Sequence, residues 1–160
     1  MPRLAVACLL VILPALSGPP VSGEERGSTG VDWYRFLGPD LNAKSSETGI
    51  RTDWSGGKLP ILWTTAVGEG YSMPSVAEGR LFLFDRVEDR ARLSCLDTKT
   101  GEVRWRQDYP TRYKDHYGYS GGPRASPVID GERVYVFGVE GKLRAHRVDD
   151  GGLLWEVDTA

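Results

Sequence analysis

A tyrosine-rich segment in the second half of the chain carries the side chains best suited to recognise another molecule. Between positions 109 and 119 the chain has four tyrosines, one histidine and two cations. Tyrosine and arginine are favoured in protein-binding patches, because they combine a large contact area with hydrogen-bonding groups. The sequence therefore predicts a candidate recognition loop that consists of Arg112, Tyr113, His116, Tyr117 and Tyr119. The alternative is a long connecting loop that packs on the fold and binds no partner.

No other group of residues indicates a catalytic, cofactor-binding or metal site. His116 has no second ligand at a spacing that zinc sites use. Asp149 and Asp150 fall where a hairpin turn is expected, and calcium needs more converging oxygens than they supply. The stretch Gly68–Gly70 is too short for a phosphate loop, and no helix follows it. Cys95 is interpreted as a small core residue, since no neighbouring base or cation is identified that would activate its thiol.

Overall composition limits the class of protein. The chain has 160 residues and a formal net charge of −2. No basic run stands out, so nucleic acid is not expected as a partner. The 20 glycines and 10 prolines, with little helical pattern after the N-terminus, favour short strands joined by turns. We therefore expect an all-β fold.

Residues 1–23 have the pattern of a secretory signal peptide. A charged start precedes the apolar run Leu4–Leu16, and Val21–Gly23 fits a cleavage site, with Ala15–Ser17 as the alternative. At about 13 residues the apolar run is too short to span a bilayer comfortably. A lipoprotein anchor at Cys8 is disfavoured, because too few residues precede it. We predict a secreted or periplasmic protein with no transmembrane span once the leader is removed.

A lead-in segment over residues 24–60 precedes the repeats. Within it, Asp32–Pro39 contains three aromatic residues and ends in a Gly-Pro turn signal. A segment this short cannot bury its own aromatic rings. We therefore expect it to pack against the body that follows.

The segment Leu93–Trp105 predicts a β-hairpin that recurs later in the chain. Asp97 can accept hydrogen bonds from backbone N–H groups of the turn, and Gly101 suits a positive φ where the turn ends. The same order of residues returns over Leu143–Trp155, with Gly151 at the turn. The chain therefore contains a repeated structural unit.

Tryptophans mark the ends of successive copies of this unit. Their spacing is 42 residues from position 63 to 105 and 50 residues from 105 to 155. Four strands in each copy of about 40–50 residues is the period of a propeller blade. We predict blades at about 71–107 and 122–158 within a repeat region over residues 61–160, and an additional strand over Ile61–Val67. The residues of the structural repeat motif are Trp63, Asp97, Gly101, Trp105, Gly151 and Trp155.

Residues 95–105, Cys-Leu-Asp-Thr-Lys-Thr-Gly-Glu-Val-Arg-Trp, resemble a known motif. It is the tryptophan-docking motif of pyrroloquinoline-quinone (PQQ)-like propeller repeats, Ala-x-Asp-x-x-x-Gly-Lys-x-x-Trp. Cys95 takes the place of the Ala and Glu102 that of the Lys. In the second copy Arg147 replaces the Asp, so that turn lacks the carboxylate of the motif. Stretches 33–39, 68–74 and 122–127 resemble the secreted quinoprotein-like propellers of planctomycete-type bacteria.

This resemblance implies a partial propeller. Rings of this family close with about six to eight blades, so the chain would be an N-terminal fragment of about two blades. Its first partners would be the remaining blades, from a missing C-terminal part or from other subunits. Two open blades would otherwise expose apolar faces and unpaired strand edges.

The resemblance also implies alternative functions. The first is a protein-binding or scaffold module, by analogy with the propeller lipoprotein that helps assemble outer-membrane proteins. The second is the N-terminal part of a PQQ-dependent dehydrogenase, which would hold PQQ and Ca²⁺ on the ring axis. A third is the extracytoplasmic sensor of a larger signalling protein. We expect no enzyme activity and no cofactor from these residues, because no acidic cluster with loop-like spacing is present.

Overall fold

The computed structural model describes residues 31–50, 52–53, 57 and 59–160. The predicted signal peptide and the first residues of the lead-in, 24–30, lie outside this part of the chain. Among the described residues, no helix has the length and apolar character needed to cross a membrane. They form two antiparallel sheets of four strands each. The prediction of an all-β fold built from four-stranded blades is confirmed.

Each sheet is a meander in which consecutive strands are neighbours. Blade 1 contains β1 (Ser75–Ala77), β2 (Arg80–Val87), β3 (Arg90–Asp97) and β4 (Val103–Pro110). Blade 2 contains β5 (Val128–Asp130), β6 (Arg133–Phe137), β7 (Lys142–Arg147) and β8 (Leu153–Asp158). Because consecutive strands are antiparallel, the β2–β3 turn and the β4–β5 connection lie at one end of the blades. The β1–β2 and β3–β4 turns lie at the other end.

The β3–β4 turn is built around the Asp97 carboxylate. Its Oδ1 accepts hydrogen bonds from the backbone N–H groups of Lys99 at 2.8 Å and Thr100 at 3.1 Å. These bonds and an ion pair with Arg104 hold the pKa of Asp97 at about 2, with the Arg104 hydrogen bond as the largest cause. The turn closes where the Gly101 N–H donates to the Asp97 carbonyl at 2.9 Å, with Gly101 at a φ of 74°.

The corresponding turn of blade 2 forms without an aspartate at the motif position. The Gly151 N–H donates to the Arg147 carbonyl at 3.0 Å, as in blade 1. Here the carboxylate comes from Asp150, whose Oδ1 accepts the Gly152 N–H at 2.8 Å. The Arg147 guanidinium pairs with that same carboxylate. A carboxylate three positions further along the chain therefore replaces the missing one.

The core lies between the two blades. In blade 1, Phe82 lies opposite Cys95 and Cys95 lies opposite Trp105, so these side chains share one face of the sheet. That face packs against Val134 and Val136 of β6, and all five residues are buried. Burial raises the pKa of the Cys95 thiol to about 11, so Cys95 is a core residue rather than a reactive thiol.

The far face of blade 2 repeats this apolar pattern but has no cover among the described residues. Tyr135 and Trp155 both lie opposite Ala145, with ring centroids 6.0 Å apart. Phe137 is 43% exposed, whereas Phe84, at the same place in blade 1, is 1% exposed. The apolar residues of β6 are therefore buried on one face only, because the described residues place no third blade on the other.

The predicted strand over Ile61–Val67 is wrong. The structure has no strand there, and Ile61 and Leu62 are 78% and 81% exposed. A strand needs a neighbour to pair with, and the described residues provide none on this side of blade 1. The sequence pattern indicated a strand for which the described residues provide no hydrogen-bonding partner.

The lead-in segment joins the inner strands of both blades. The Trp33 carbonyl accepts a hydrogen bond from the Val76 N–H in β1 at 2.8 Å. The next carbonyl, of Tyr34, accepts one from the Ile129 N–H in β5 at 2.9 Å. The Tyr34 side chain also packs against the core between the blades. The prediction that this segment packs on the body that follows is confirmed.

Candidate functional site

Two tryptophans dock on successive turns in the same way. Trp63 Nε1 donates to the Thr98 carbonyl at 2.9 Å, and Trp105 Nε1 donates to the Val148 carbonyl at 2.8 Å. Thr98 and Val148 occupy equivalent positions in the two β-hairpins. Trp105 therefore links blade 1 to blade 2, and Trp63 makes the equivalent contact with blade 1 from the other side.

Each docked ring lies directly on a glycine. A Cβ on Gly101 would come within 2.6 Å of the Trp63 ring, and a Cβ on Gly151 within 2.5 Å of the Trp105 ring. Trp155 ends the second copy, blade 2, and is 39% exposed. Its position in blade 2 is that of Trp105 in blade 1, on the face that has no cover among the described residues.

An arginine of blade 1 fastens the candidate recognition loop at both of its ends. Arg86 Nη1 donates to the Tyr113 carbonyl at 2.6 Å and to the Gly121 carbonyl at 3.1 Å. Its Nη2 pairs with Asp89 at 3.1 Å. The Gly121 N–H also donates to Glu69 Oε2 at 3.3 Å. The loop is therefore closed by one guanidinium and held against the end of blade 1.

A carboxylate organises the interior of the loop. Asp115 Oδ2 accepts hydrogen bonds from the Tyr117 N–H at 3.2 Å and the Tyr119 N–H at 2.9 Å. Its Oδ1 accepts one from Arg124 Nη2 at 2.8 Å. These bonds hold the pKa of Asp115 below its usual range, with the Tyr119 N–H as the largest cause. The backbone that carries the two tyrosines is therefore fixed.

The loop residues predicted from the sequence divide into an anchored part and an exposed part. Tyr113 is half-buried beneath Arg124, whose guanidinium carbon lies 5.7 Å from its ring centroid. Tyr117 and Tyr119 are 78% and 77% exposed, and their ring centroids are 6.2 Å apart. His116 stands edge-on to Tyr117 at 5.2 Å. The exposed side chains of the loop are those of Arg112, Lys114, His116, Tyr117 and Tyr119.

A cleft of about 540 Å³ lies between this loop and the end of β6. Its walls combine tyrosines of the loop with Phe137 and the Arg124–Asp115 pair. The sequence did not indicate Arg86, Asp115 or Arg124 as parts of a site. Arg86 lies 27 and 35 positions from the two carbonyls that it binds, so no local pattern could have shown these contacts.

Within the described part of the chain, no three His, Cys, Asp or Glu side chains converge in a way that could hold a metal ion. The lead-in is hydrogen-bonded to Val76 and Ile129, in the first strands of the two blades.

Comparison with known proteins shows the family of the chain. A family model described as outer membrane protein assembly factor BamB matches residues 45–160, which is more than half of the chain. The chain belongs to this family. Comparison with curated proteins finds no match. The quinoprotein-like propeller resemblance of the sequence is thereby confirmed.

Solved structures that match the chain include two dehydrogenases and one assembly factor. A europium-containing methanol dehydrogenase matches with a TM-score of 0.61 and 16% identity, over 84% of this chain and 24% of that one. Quinohemoprotein alcohol dehydrogenase from Comamonas testosteroni matches with a TM-score of 0.58 and 19% identity, over 88% of this chain and 22% of that one. BamB from Moraxella catarrhalis matches with a TM-score of 0.39 and 21% identity, over 58% of this chain and 23% of that one. The chain spans less than a quarter of each, and the two dehydrogenase matches show the fold alone.

One titratable residue of the BamB-family blades lies inside the interface between them. His146 is 3% exposed, and its Nδ1 lies 2.9 Å from the Gly151 carbonyl oxygen. Burial lowers the pKa of His146, the Gly151 contact partly opposes this, and the Arg144 charge adds to it. Blade 1 has Leu96 at the corresponding position. The imidazole is therefore held in its neutral form.

Replacing His146 with leucine is expected to reduce the acid sensitivity of the protein. The folded-state pKa is lowered, so the stabilisation is complete above the unfolded pKa near 6.5 and is lost as the pH falls toward the folded value. Urea unfolding at pH 7.5 and 5.0 should show a smaller loss of stability for His146→Leu than for the wild type. An equal loss in the two proteins would contradict this account. Exposed His116 mutated to leucine serves as the control.

Proposed function

We propose that the chain forms part of a closed propeller that acts in the cell envelope as a protein-binding or scaffold module. The recognition surface in this proposal is the loop over residues 111–123. One observation carries it: Tyr117 and Tyr119 are more than three-quarters exposed on a loop that Arg86 and Asp115 hold in place. Ordering a loop costs conformational entropy, and two exposed aromatic rings lose the stabilising free energy that burial of their apolar surface would give. A binding partner would cover both rings.

Closure of the ring is supported by the uncovered face of blade 2. Its apolar residues repeat those with which blade 1 contacts blade 2, and Trp155 lies where Trp105 docks. A face of this kind exposes an apolar patch that a soluble protein would normally cover. The proposed partners in the ring are further blades, either from a longer chain or from other subunits.

The envelope location rests on two supports of different kinds. The family description names an outer membrane protein assembly factor. Independently, residues 1–23 have the pattern of a secretory leader, although they lie outside the described residues. The alternative, the N-terminal part of a PQQ-dependent dehydrogenase, would need cofactor ligands from blades outside this chain.

The double variant Tyr117→Ala/Tyr119→Ala tests the recognition surface. A single aromatic hot spot contributes about 2 kcal/mol or more, so even if only one of the two rings is a hot spot, capture of the native partner should weaken at least ~30-fold. The measurement is pull-down from envelope extract with the complete protein that contains these blades. The melting temperature should stay the same, because both rings are exposed.

Phe36→Ala is the matched control, since Phe36 is a 55% exposed aromatic residue in the lead-in segment. It should leave capture unchanged. If capture survives in the tyrosine variant while the melting temperature falls, the loop packs against another blade and the recognition proposal is wrong.

A further inference from the structure

The charges in and beside the candidate recognition loop nearly balance. The cations are Arg86, Arg112, Lys114 and Arg124, and the carboxylates are those of Glu69, Glu88, Asp89, Asp115 and Glu140. Two ion pairs within this set, Arg86–Asp89 and Arg124–Asp115, are formed in the structure. Such a surface presents no strong field of one sign to a charged ligand. Charge complementarity therefore favours an occupant without net charge.

The backbone at the tip of the loop has no free donors for a partner strand. The N–H groups of Tyr117, Gly118 and Tyr119 all donate to Asp115, the outer two to its carboxylate and the middle one to its carbonyl. None of residues 111–127 belongs to a strand. A strand that is added to a sheet edge needs a row of unpaired N–H and C=O groups. The ligand is therefore bound by side chains of the loop and not by strand addition.

The hydroxyl groups of the two exposed tyrosines are donors that a ligand must satisfy. Tyr117 and Tyr119 are 78% and 77% exposed, and neither hydroxyl is hydrogen-bonded among the described residues. Covering a hydroxyl without giving it a hydrogen bond costs free energy. The ligand must therefore supply acceptors as well as apolar contact area. A helix would not, because its carbonyls are bonded within the helix.

An extended proline-rich segment supplies both. In the polyproline II conformation the backbone makes no internal hydrogen bonds, so its carbonyls are free acceptors, and proline adds apolar surface without an N–H donor. Three residues in this conformation rise about 9 Å, which spans the 6.2 Å between the ring centroids of Tyr117 and Tyr119. Tyr113, Ala125 and Val139 line the adjoining cleft and extend the contact surface. Grooves lined by aromatic side chains are a recurring binding site for such segments.

Both sides of this contact are ordered before binding. Arg86 holds both ends of the loop, and the Asp115 carboxylate holds the N–H groups of both tyrosines. A proline-rich segment is extended in its free state, because the proline rings restrict φ. Binding between two preorganised surfaces loses little conformational entropy. The loop therefore suits a ligand of this kind better than a fully flexible one.

We propose that the candidate recognition loop binds an uncharged, proline-rich segment of a partner protein in the polyproline II conformation. Proline rings of the segment pack on Tyr117 and Tyr119, and its carbonyls accept hydrogen bonds from the two tyrosine hydroxyls. The inference rests on the proposed function and adds the chemistry of the partner.

A randomised library of 12-residue displayed peptides, selected on the complete protein, is the probe. Selected peptides should be enriched in proline and should show no bias toward charged residues. A synthetic copy of a selected peptide should bind at least ~10-fold more tightly, by fluorescence anisotropy, than the same peptide with alanine for each proline. Its affinity should be nearly independent of salt, because no charge pairs form. The peptide should also block capture of the native partner from envelope extract.

Removing the hydroxyls alone tests the hydrogen bonds. The double variant Tyr117→Phe/Tyr119→Phe keeps both rings and should bind the selected peptide at least ~5-fold more weakly, because two hydrogen bonds are lost. Tyr34→Phe is the matched control, since it makes the same change in the lead-in segment, outside the loop. This control should bind the peptide as the wild type does.

Three results would overturn the inference: selection that yields no proline-enriched binder, equal binding by the alanine-substituted peptide, or equal binding by the phenylalanine double variant. If native capture is lost in Tyr117→Ala/Tyr119→Ala but selected peptides lack proline, the recognition surface stands and its preference for proline is wrong. If native capture survives in that alanine variant, the proposed function fails as well.

Discussion

Replacing Gly151 with alanine is expected to destabilise the protein by about 3 kcal/mol or more. Gly151 has a φ of 74°, where an L-residue costs about 1–2 kcal/mol. The added Cβ would also lie 2.5 Å from the Trp105 ring. The ring must then leave a position in which it is 9% exposed, at a further cost of about 1.5–3 kcal/mol. Denaturant unfolding of the complete protein measures the total.

Gly131→Ala separates the two contributions. Gly131 also has a positive φ, 53°, but nothing lies within 4 Å of the position its Cβ would take. It should therefore show the backbone cost alone, about 1–2 kcal/mol. Equal destabilisation by the two variants would mean that contact with Trp105 contributes nothing. Trp105→Phe adds a check, because it keeps most of the apolar area and removes only the bond to Val148.

Truncating Asp85 to alanine is expected to cost about 3–5 kcal/mol, the range for breaking a buried ion pair. Asp85 is 3% exposed and binds Arg92 through both carboxylate oxygens, at 2.9 and 2.6 Å. It also accepts the Gly68 N–H at 2.7 Å. Its removal leaves a partly buried guanidinium and a backbone donor without their acceptor. Urea unfolding at neutral pH is the measurement.

An exposed ion pair in the same blade provides the comparison. Asp108 pairs with Arg90 across β3 and β4, with side chains 40% and 51% exposed. Asp108→Ala should therefore cost less than about 1 kcal/mol. The double variant Asp85→Leu/Arg92→Met should recover most of the lost stability, since apolar replacement of a whole buried pair is often neutral. Destabilisation of similar size by Asp85→Ala and Asp108→Ala would contradict this reasoning.

Local sequence patterns were sufficient for the blades themselves. The short apolar runs and the Asp97 and Gly101 turn signals act over a few positions, and the structure follows them. The spacing of the tryptophans was informative because each ring needs a glycine and a carbonyl at a fixed place in the next hairpin. Both Trp63 and Trp105 contact such a glycine and donate to such a carbonyl.

Features that depend on distant residues could not be read from such patterns. His146 occupies a core position that blade 1 fills with Leu96, and only packing between blades decides that it is buried. The closure of the loop by Arg86 depends on carbonyl groups that carry no sequence signal. The strand expected over Ile61–Val67 failed for the related reason that a strand forms only beside a neighbour.

The bridge made by the lead-in segment sets an order of events during folding. Tyr34 is synthesised about 95 positions before Ile129, to which it is hydrogen-bonded. The lead-in cannot complete its contacts until the first strand of blade 2 has been synthesised. Pairing between segments this distant in sequence is also slow to form. Its docking is therefore a late step, and protection of the Ile129 amide from hydrogen exchange would report that both blades have come together.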